Sequence, residues 1–486
     1  MNRFLPPAFD LQAFARQTVL ALGFAVDMPP EAAAEAAATK PDLSGVRDLR
    51  SLHWSSIDNP ESRDLDQVEF ATLETDGEIR LLVGIADVDA LVPRGSHADS
   101  YAASNTTSLY TGATVFPMLP AELSNALTSL LENADRLAII VEFTVALDGA
   151  VHSLSVFRAW VRNAAKLDYD LIGDWLEEKS PRPLKVAALE GLESQLRLQD
   201  QARARLRAFR HANGALEFES VEARPVTSEG QVVDLKLTVR NQARDLIESF
   251  MVATNSVMAS FLESKGSLTI QRVVRTPKRW ERIVAIANAL GTVLPFEPNS
   301  RALADFLTAR KAADPASFPD LSLAIVKLLG PGEYAVLRAG AEHEGHFGLA
   351  VHDYTHSTAP NRRFVDLVTQ RLVKAALLGE PAPYSEPELL QIVEHCNERG
   401  NAARKAERTM RKAAAAVLLA GRIGDCFDAI VTGAVPRGTF VRLLGPPADG
   451  RVVKGEHGLD VGDKVRVRLL STDPAHGFID FERLGS

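Results

Sequence analysis

Runs of apolar residues predict β-strands in the first half of the chain. Four of these runs form two pairs, and an Asp-Gly dipeptide separates the members of each pair. The runs are residues 66–71 and 79–88 around Asp76-Gly77, and residues 137–145 and 151–161 around Asp148-Gly149. Asp-Gly is typical of tight hairpin turns, because its residues tolerate a positive φ. The pattern therefore predicts two β-hairpins.

Apolar residues at helical spacing predict helices before and after these strands. The predicted helices cover residues 9–25, 29–41, 186–213, 241–263 and 385–421. The last of them carries a row of basic side chains, Arg404, Lys405, Arg408, Arg411 and Lys412. On periodicity alone, such a row indicates a solvated helix face.

The pattern changes again at Gly424, where short strands and turns follow one another. The runs are DCFDAIVTGAV, GTFVRLL, VVKGEHG, DKVRVRLLS and HGFIDFERL. Five short strands in so small a region favour a closed barrel, for which the five-stranded OB fold is the common solution. The sequence therefore predicts a C-terminal OB barrel.

Taken together, these elements predict an α+β fold in three parts. Residues 1–42 form a short helical region, for which a helix-turn-helix is an alternative arrangement. Residues 43–421 form a central domain of mixed sheet and helices, and residues 422–486 form the barrel.

Charge narrows the classes of function. The chain of 486 residues has 54 Lys and Arg against 63 Asp and Glu, a net charge of −9. This balance argues against a nonspecific nucleic-acid coat protein, which usually carries excess positive charge. Residues 400–486 nevertheless hold 14 basic and 10 acidic side chains. The C-terminal part is therefore the more favourable place for a polyanion to bind.

Cysteine content and hydropathy indicate the compartment. Cys396 and Cys426 are too few for a disulfide framework or a cysteine-based zinc site, so we expect a reduced, cytoplasmic protein. The apolar segment Thr18–Val26 lacks a small-residue cleavage site and is interpreted as a helix core. No apolar run approaches the ~20 residues of a membrane span, so we expect no membrane partner. We also expect a monomer in solution.

The segment SIDNPESRDLDQVEFA, residues 56–71, is the most informative for chemistry. It places Asp58, Asp64 and Asp66 within nine residues, directly before a predicted strand. Carboxylates at positions i and i+2 of an extended chain lie on one side and can converge on a hard cation such as Mg²⁺. The alternative is an ordinary acidic surface loop.

A second segment, HDYTHSTAPNRRFVDLVTQRL at residues 352–372, brings Arg362 and Arg363 to the start of a predicted helix. Arginine there suits phosphate recognition, because guanidinium and helix N–H groups point the same way. Two exposed arginines on an ordinary helix are the alternative. The nearby histidines, His343, His346, His352 and His356, allow a zinc cluster, although they lack an HExxH pattern and are better read as core or surface residues.

The two segments together resemble the two signatures of the ribonuclease II/R (RNB) family of 3′-to-5′ exoribonucleases. SIDNPESRDLDQV resembles the acidic motif, and YTHSTAPNRRFVDL resembles the family's YTH-x-TSP-x-RRYADL. Further stretches between them match in order, so that the resemblance covers about residues 43–420. The C-terminal barrel is similar to the RNA-binding OB domain that usually closes such enzymes.

The resemblance implies roles for individual residues. Asp58, Asp64 and Asp66 match the acids that hold Mg²⁺, for which Mn²⁺ can substitute. Asp66 and Arg362 are then the catalytic pair, and Arg362 holds the phosphate beside the scissile bond. Tyr110 falls at the position of the aromatic that stacks on the 3′-terminal base, Phe218 more weakly at that of a second aromatic, and Glu407 at that of a glutamate in the 3′-end pocket. Without the motifs, Tyr110 and Phe218 would read as packing residues.

Two departures from the family pattern stand out. Gln67 occupies the position of the fourth metal-site acid and brings no charge. Its side chain points away from that of Asp66 unless the strand bends. Glu69 could compensate if such a bend turned it inward, but we expect it at the surface. The 42 residues before the central domain are also too few for the cold-shock OB domains that usually precede it.

The function implied by the resemblance is processive 3′-to-5′ hydrolysis of single-stranded RNA to nucleoside 5′-monophosphates, by Mg²⁺-dependent in-line attack of water. Phe427, Phe440, Arg442 and Arg468 of the barrel are candidates for an RNA groove. Loss of the fourth acid leaves an alternative: a catalytically impaired RNA-binding protein that keeps the fold. A metal-dependent phosphodiesterase acting on DNA or a small nucleotide is a third hypothesis.

Overall fold

The computed structural model describes residues 9–219, 223–228, 231–237, 240–315, 317–342, 345–435 and 438–485. Two helices come first, α1 (Leu11–Ala21) and α2 (Pro30–Ala38). The Asp10 carboxylate caps α1 by accepting a hydrogen bond from the Ala13 N–H at 2.9 Å. Each helix packs against a helix of the central region, α1 on residues 386–419 and α2 on residues 97–105.

A six-stranded sheet forms the centre of the molecule. The first eight strands of the chain are β1 (Arg47–Asp48), β2 (Trp54–Asp58), β3 (Gln67–Leu73), β4 (Ile79–Ala86), β5 (Leu109–Tyr110), β6 (Val115–Phe116), β7 (Asp135–Val145) and β8 (Val151–Asp168). The sheet order is β1-β8-β2-β3-β4-β7, and β7 also pairs with β8, whereas β5 and β6 form a separate hairpin. The pairings therefore link five long strands into a ring around an apolar interior.

Both predicted hairpins are confirmed. β3 pairs antiparallel with β4, and β7 pairs antiparallel with β8, across the two Asp-Gly turns. Gly149 has φ +90°, and a Cβ atom there would lie 2.2 Å from the Arg205 carbonyl oxygen. Only glycine therefore fits this turn, because the long helix of residues 192–212 packs directly on it.

Helices and two further antiparallel strand pairs complete the central domain. They are α3 (His97–Asn105), α4 (Tyr169–Leu176), α5 (Leu184–Ala188), α6 (Leu192–Ala212), β9 (Ala223–Ser228), β10 (Gln231–Leu237), α7 (Gln242–Ser264), β11 (Thr269–Val273), α8 (Trp280–Ala289), α9 (Ser300–Ala313), α10 (Phe318–Leu329) and β12 (Glu333–Leu337). Single helical turns lie at Val88–Ala90, Leu123–Leu127 and Ala420–Arg422. The single helix predicted over 186–213 is wrong: α5 and α6 are separate, because Gly191 adopts φ +82° between them.

Two helices follow, α11 (Phe364–Leu378) and α12 (Glu386–Leu419). A capping box formed by Ser385 and Glu388 fixes the start of α12. All five members of the predicted basic row on α12 are exposed, while the opposite face packs against α1, β9, β10 and the barrel. The prediction of a solvated basic face is confirmed, and α12 connects the central domain to the C-terminal region.

The C-terminal barrel is confirmed as a closed five-stranded unit. Its strands are β13 (Cys426–Val435), β14 (Gly438–Leu443), β15 (Asp449–Lys454), β16 (Lys464–Asp473) and β17 (Phe478–Arg483), in the closed order β13-β14-β15-β17-β16. The expectation that Phe427 lines an RNA groove is wrong, because this side chain is buried in the barrel core, 6.5 Å from Phe481 between ring centroids. Arg442 pairs with Asp320 of α10 at 3.1 Å and so joins the barrel to the central domain.

The α+β fold class is thereby confirmed in the parts of the chain that the structure describes. Within those parts, no helix is both long and apolar enough to cross a membrane.

Candidate active site

The acidic segment lies at one end of the ring of strands, where it connects the end of β2 to the start of β3. Asp58 is the last residue of β2, and Asp64 and Asp66 lie in the extended segment that leads into β3. The Leu65 N–H donates to the Ser129 hydroxyl at 2.9 Å, and the Ala86 N–H donates to the Asp66 carbonyl, also at 2.9 Å. Neighbouring backbone and side chains therefore hold this segment in place.

The two sequence motifs meet at Asp66. The Asn361 N–H donates to one carboxylate oxygen of Asp66 at 3.1 Å, and the Arg362 Nε lies 3.4 Å from the other. Asp66 is 2% exposed, whereas half of the Arg362 side-chain surface is accessible. The Arg362 guanidinium therefore reaches from the buried carboxylate toward solvent, where a phosphate can approach it.

Burial dominates the electrostatics of two of the acids. It raises the pKa of Asp58 and that of Asp66 to about 7 each, although the positive charge of Arg362 acts in the opposite direction on both. One oxygen of Asp58 is buried without a hydrogen-bond partner among the described residues. Carboxyl groups in this condition gain strongly from a cation, which stabilises their charged form.

Tyr110 lies beside the acids. Its hydroxyl donates to the Asp64 carboxylate at 2.8 Å, and the residue is 41% exposed. Burial of the hydroxyl, together with the charge of Asp64, raises the pKa of Tyr110, so the phenol stays protonated and keeps donating. The ring is therefore available for stacking while its hydroxyl orients an acid.

The backbone joins the Tyr110 loop to the arginine segment. The Ser108 N–H donates to the Arg362 carbonyl at 3.0 Å, and the Phe364 N–H donates to the Thr106 carbonyl at 2.8 Å. Tyr110, Arg362 and the acids therefore form one rigid unit built from three separate parts of the chain.

The two adjacent arginines do different things. Arg363 turns inward and pairs with the fully buried carboxylate of Asp366 at 2.6 Å. The same carboxylate accepts a hydrogen bond from the Ala359 N–H at 2.8 Å. Arg363 therefore holds the loop that presents Arg362, and only Arg362 faces the acids.

A cavity of about 310 Å³ lies next to this unit, and three arginines and two glutamates contribute to its lining. Its lining includes Arg272, Arg363 and Arg404, together with Glu407 and Thr107. The Thr107 hydroxyl donates to the Arg362 carbonyl at 3.1 Å, which places the cavity directly beside the arginine loop. Glu407 thus lies in the cavity beside the arginine loop, and its role at an RNA end stays a prediction.

Phe218 lies in a different environment. It is half-buried and packs against the apolar cluster formed by α8, α9 and α10, and its carbonyl accepts a hydrogen bond from Arg240 at 3.4 Å. Packing accounts for these contacts. A role for Phe218 in clamping RNA bases stays a prediction.

Sequence reasoning missed the side chains that support the acids. The Lys166 Nζ donates to the Pro60 carbonyl at 2.9 Å and to the Ser62 carbonyl at 2.5 Å, and so fixes the loop between Asp58 and Asp64. Asn361 contributes through its backbone N–H. A lysine near a strand end carries no local signal for this role, since its partners are carbonyl groups about a hundred residues away.

The donor set suits Mg²⁺ by type. Within the described ranges, no three His, Cys, Asp or Glu side chains stand close enough together to hold a metal ion by themselves. Mg²⁺ commonly uses only one or two protein carboxylates and completes its shell with water and substrate phosphate. Asp58, with its unpartnered oxygen, and Asp66 are therefore the residues that fit best, and the roles of Asp64 and Gln67 as ligands stay predictions.

One expectation for this region is wrong. Glu69 is fully buried rather than at the surface, because β3 lies between β2 and β4 in the ring.

The described histidines form no metal cluster: His346 and His356 are half-buried, and His352 is exposed. The His356 Nδ1 lies 2.8 Å from the Tyr334 hydroxyl. The His346 ring packs edge-on against Tyr354. Burial lowers the pKa of His346 to about 4, assisted by the charge of Arg272, and burial also lowers the pKa of His356. His343 lies outside the described residues.

These shifts predict acid sensitivity. Between about pH 6.5 and about pH 4, the unfolded chain protonates these histidines while the folded state does not. The free energy of unfolding therefore decreases as the pH is lowered through this range. For His346 alone the loss approaches about 3 kcal/mol at the lower limit. We expect His346→Gln to flatten this dependence in urea unfolding measured across the range. The control His457→Gln, at an exposed barrel position, should leave this pH dependence unchanged. Equal slopes of the free energy of unfolding against pH for the two variants would contradict the assignment to His346.

Comparisons with known proteins agree with this arrangement. The model of the RNB domain family matches residues 46–379, and that of the RNase II-type exonuclease C-terminal S1 domain matches residues 425–484. Ribonuclease R of Thermotoga maritima is 31% identical over 476 residues, which cover 91% of this chain and 65% of that protein. The chain spans 57–65% of the length of this and another ribonuclease R that it matches.

Solved structures share the fold. Mycoplasma genitalium RNase R in complex with ribose-methylated single-stranded RNA is 22% identical, with a TM-score of 0.86 over 98% of this chain and 78% of that one. Yeast Ssd1, a pseudonuclease, is 16% identical, with a TM-score of 0.71 over 90% of this chain and 55% of that one. The same architecture thus occurs in a ribonuclease and in a protein described as a pseudonuclease.

Proposed function

The chain belongs to the RNB domain family, and we propose that it is a 3′-to-5′ exoribonuclease that hydrolyses single-stranded RNA processively to nucleoside 5′-monophosphates. The observation that carries this proposal is the contact between Asp66 of the acidic motif and Arg362 of the second motif, with Tyr110 beside them. Similarity to ribonuclease R and to the C-terminal S1 domain supports the same substrate class.

In this proposal each residue acts on the terminal nucleotide. The ring of Tyr110 stacks on the last base, which positions the adjacent phosphodiester near the acids. The Arg362 guanidinium donates to the phosphoryl oxygens and stabilises the negative charge that grows on them. Asp66 keeps Arg362 in place, and Asp58 and Asp66 would hold Mg²⁺. Mg²⁺ would supply an activated water and neutralise charge on the phosphate.

Basic side chains near the site suggest a path for the RNA. The cavity with Arg272, Arg363 and Arg404 lies beside the Arg362 loop, and the exposed basic row of α12 continues from it toward the barrel. Such a groove tracks a phosphate backbone without reading base sequence. We propose that single-stranded RNA enters along this side and that the OB barrel binds the upstream nucleotides.

The remaining expectations fit the same proposal. Both cysteines are free thiols, as suits a reducing cytoplasm. We propose that the protein works there as a monomer with Mg²⁺, and that Mn²⁺ substitutes for it.

Gln67 favours a second candidate function. With a neutral amide at the position of an acid, the protein could bind RNA without cleaving it, as a pseudonuclease of the same fold. The two functions differ in whether products form.

A 5′-labelled oligoribonucleotide incubated with the protein and Mg²⁺ separates the candidates. We expect a ladder that shortens from the 3′ end, and loss of the ladder when EDTA removes the cation. A gel shift without shortening would contradict the enzyme and support the RNA-binding protein. Cleavage of the matched oligodeoxynucleotide at a similar rate would instead support a phosphodiesterase that does not select RNA.

A further inference from the structure

Glu69 is an unusual residue for the interior of a sheet. Its relative exposure is 0%, and neither carboxylate oxygen has a hydrogen-bond partner among the residues that the structure describes. Buried polar groups are nearly always paired, so each exception calls for an explanation such as a bound ion. Burial of an unpaired carboxylate costs several kcal/mol and is rare for glutamate.

The surroundings of Glu69 are acidic and polar rather than basic. Ser55 lies directly opposite it on β2, and the Ser55 hydroxyl is also buried without a partner in the described chain. The charge of Asp58, three residues beyond Ser55, acts on Glu69, and both acids act on the Tyr169 hydroxyl. Asp58 likewise has an unpartnered buried oxygen. The Ser55 hydroxyl and the Glu69 carboxylate, both unpartnered among the described residues, therefore lie side by side on paired strands, and Asp58 lies within electrostatic range of Glu69.

Position 69 is related to position 67 by the strand period. Side chains two residues apart on a strand lie on the same face, so Glu69 and Gln67 share one face of β3. The resemblance places the missing fourth acid at position 67. Positions 67 and 69 are about 7 Å apart along the strand. A cation that lies between them can be reached from position 69 by glutamate, whose side chain is one methylene group longer than that of aspartate.

We propose that Glu69 is a ligand of the divalent cation, binding together with Asp58 and supplying the negative charge that position 67 lacks. The proposal rests on the proposed function, because it concerns the cation that this function uses. The competing explanation is a neutral carboxylic acid in the core that never meets the cation.

Binding of Mn²⁺ by the RNA-free protein tests the proposal without using activity. The fraction of free Mn²⁺, read from its EPR signal, gives the affinity of the wild type, of Glu69→Gln and of the control Glu61→Gln in the exposed part of the acidic loop. We expect Glu69→Gln to weaken binding about tenfold or more, since one ligand charge is lost, and Glu61→Gln to change little. Equal affinity of Glu69→Gln and the wild type would overturn the proposal.

Thermal unfolding distinguishes a lost ligand from a damaged fold. Glu69→Gln removes an unpaired carboxyl from the interior, so without metal it should melt at the same temperature as the wild type or higher. On addition of Mn²⁺ the melting temperature of this variant should then rise less than that of the wild type. If Glu69→Gln has a lower melting temperature than the wild type without metal, and Mn²⁺ raises both melting temperatures equally, Glu69 serves only packing.

A charge-relocation variant gives an independent result. In Gln67→Asp/Glu69→Gln the acid returns to position 67, and we expect Mn²⁺ affinity to recover to within about threefold of the wild type. Failure of this rescue, with the double variant as weak as Glu69→Gln or weaker, would contradict a shared cation site for the two positions. If the wild type binds Mn²⁺ and cleaves RNA while Glu69→Gln behaves identically, this inference alone fails. If the wild type neither binds Mn²⁺ nor cleaves RNA, the proposed function fails as well.

Discussion

Asp66→Asn is expected to lower the rate of RNA hydrolysis by about three orders of magnitude, which corresponds to about 4 kcal/mol of transition-state stabilisation. The substitution removes the charge that pairs with Arg362 and would bind the cation. Asparagine keeps the shape and can still accept the hydrogen bond from the Asn361 N–H. The measurement is the single-turnover rate at saturating RNA and Mg²⁺.

Folding and RNA binding serve as controls for this variant. Because Asp66 is buried with a raised pKa, replacing it by a neutral amide should leave the metal-free protein at least as stable as the wild type. RNA affinity, measured by fluorescence anisotropy, should change by less than about threefold, since the basic surface is intact. A variant that keeps more than about a tenth of the wild-type rate would place the chemistry elsewhere.

Arg362→Gln and Arg363→Gln are expected to fail in opposite ways. Arg362→Gln should lower the hydrolysis rate by about 100- to 1000-fold, as removal of a donor to developing charge does. Its loss in the free energy of unfolding should be much smaller than that of Arg363→Gln, because the Arg362 Nε lies 3.4 Å from Asp66 and the pKa of Asp66, about 7, lets this carboxyl become neutral when the arginine is gone. Arg363→Gln should instead lower the free energy of unfolding by about 3–5 kcal/mol, because it leaves the fully buried carboxylate of Asp366 without its ionic partner. At saturating RNA, the second variant should keep most of its hydrolysis rate per folded molecule, because Arg363 does not contact the acids that the proposal assigns to catalysis.

Each arginine variant is the control for the other. Urea unfolding gives the stability of both proteins, and the single-turnover rate is compared at a temperature where both are folded. The assignment is contradicted if the pattern is reversed, so that Arg363→Gln loses the rate and Arg362→Gln loses the stability.

Local signals in the sequence account for much of the fold. The Asp-Gly turns fix the hairpins β3–β4 and β7–β8, and five short strands separated by turns are enough to predict the barrel. The approach of Asp66 to Arg362 could be anticipated only through the family resemblance, because some 300 residues separate them. The length of a helix was harder to predict: Gly191 divides α5 from α6 by a positive φ, which the polar pattern on either side does not reveal.

Residues whose burial depends on tertiary closure could not be predicted. Glu69 looks like a surface residue because glutamate usually is one. It is buried because β3 is an inner strand, paired with both β2 and β4. Phe427 presents the converse case: alternation along a barrel strand does not tell which face is inside, and the structure places this ring against Phe481. The hydrogen bonds by which Lys166 holds the acidic loop could not be predicted from the sequence, because their acceptors are backbone carbonyl groups.

The products of RNA digestion in ¹⁸O-labelled water test the central claim most directly. With Mg²⁺ present, mass spectrometry of the released nucleotides should show nucleoside 5′-monophosphates that carry a single ¹⁸O on phosphorus, because a water oxygen attacks each terminal phosphodiester. The same digest by Asp66→Asn should yield almost none. Intact RNA after prolonged incubation, or products with a 3′-phosphate, would contradict the account.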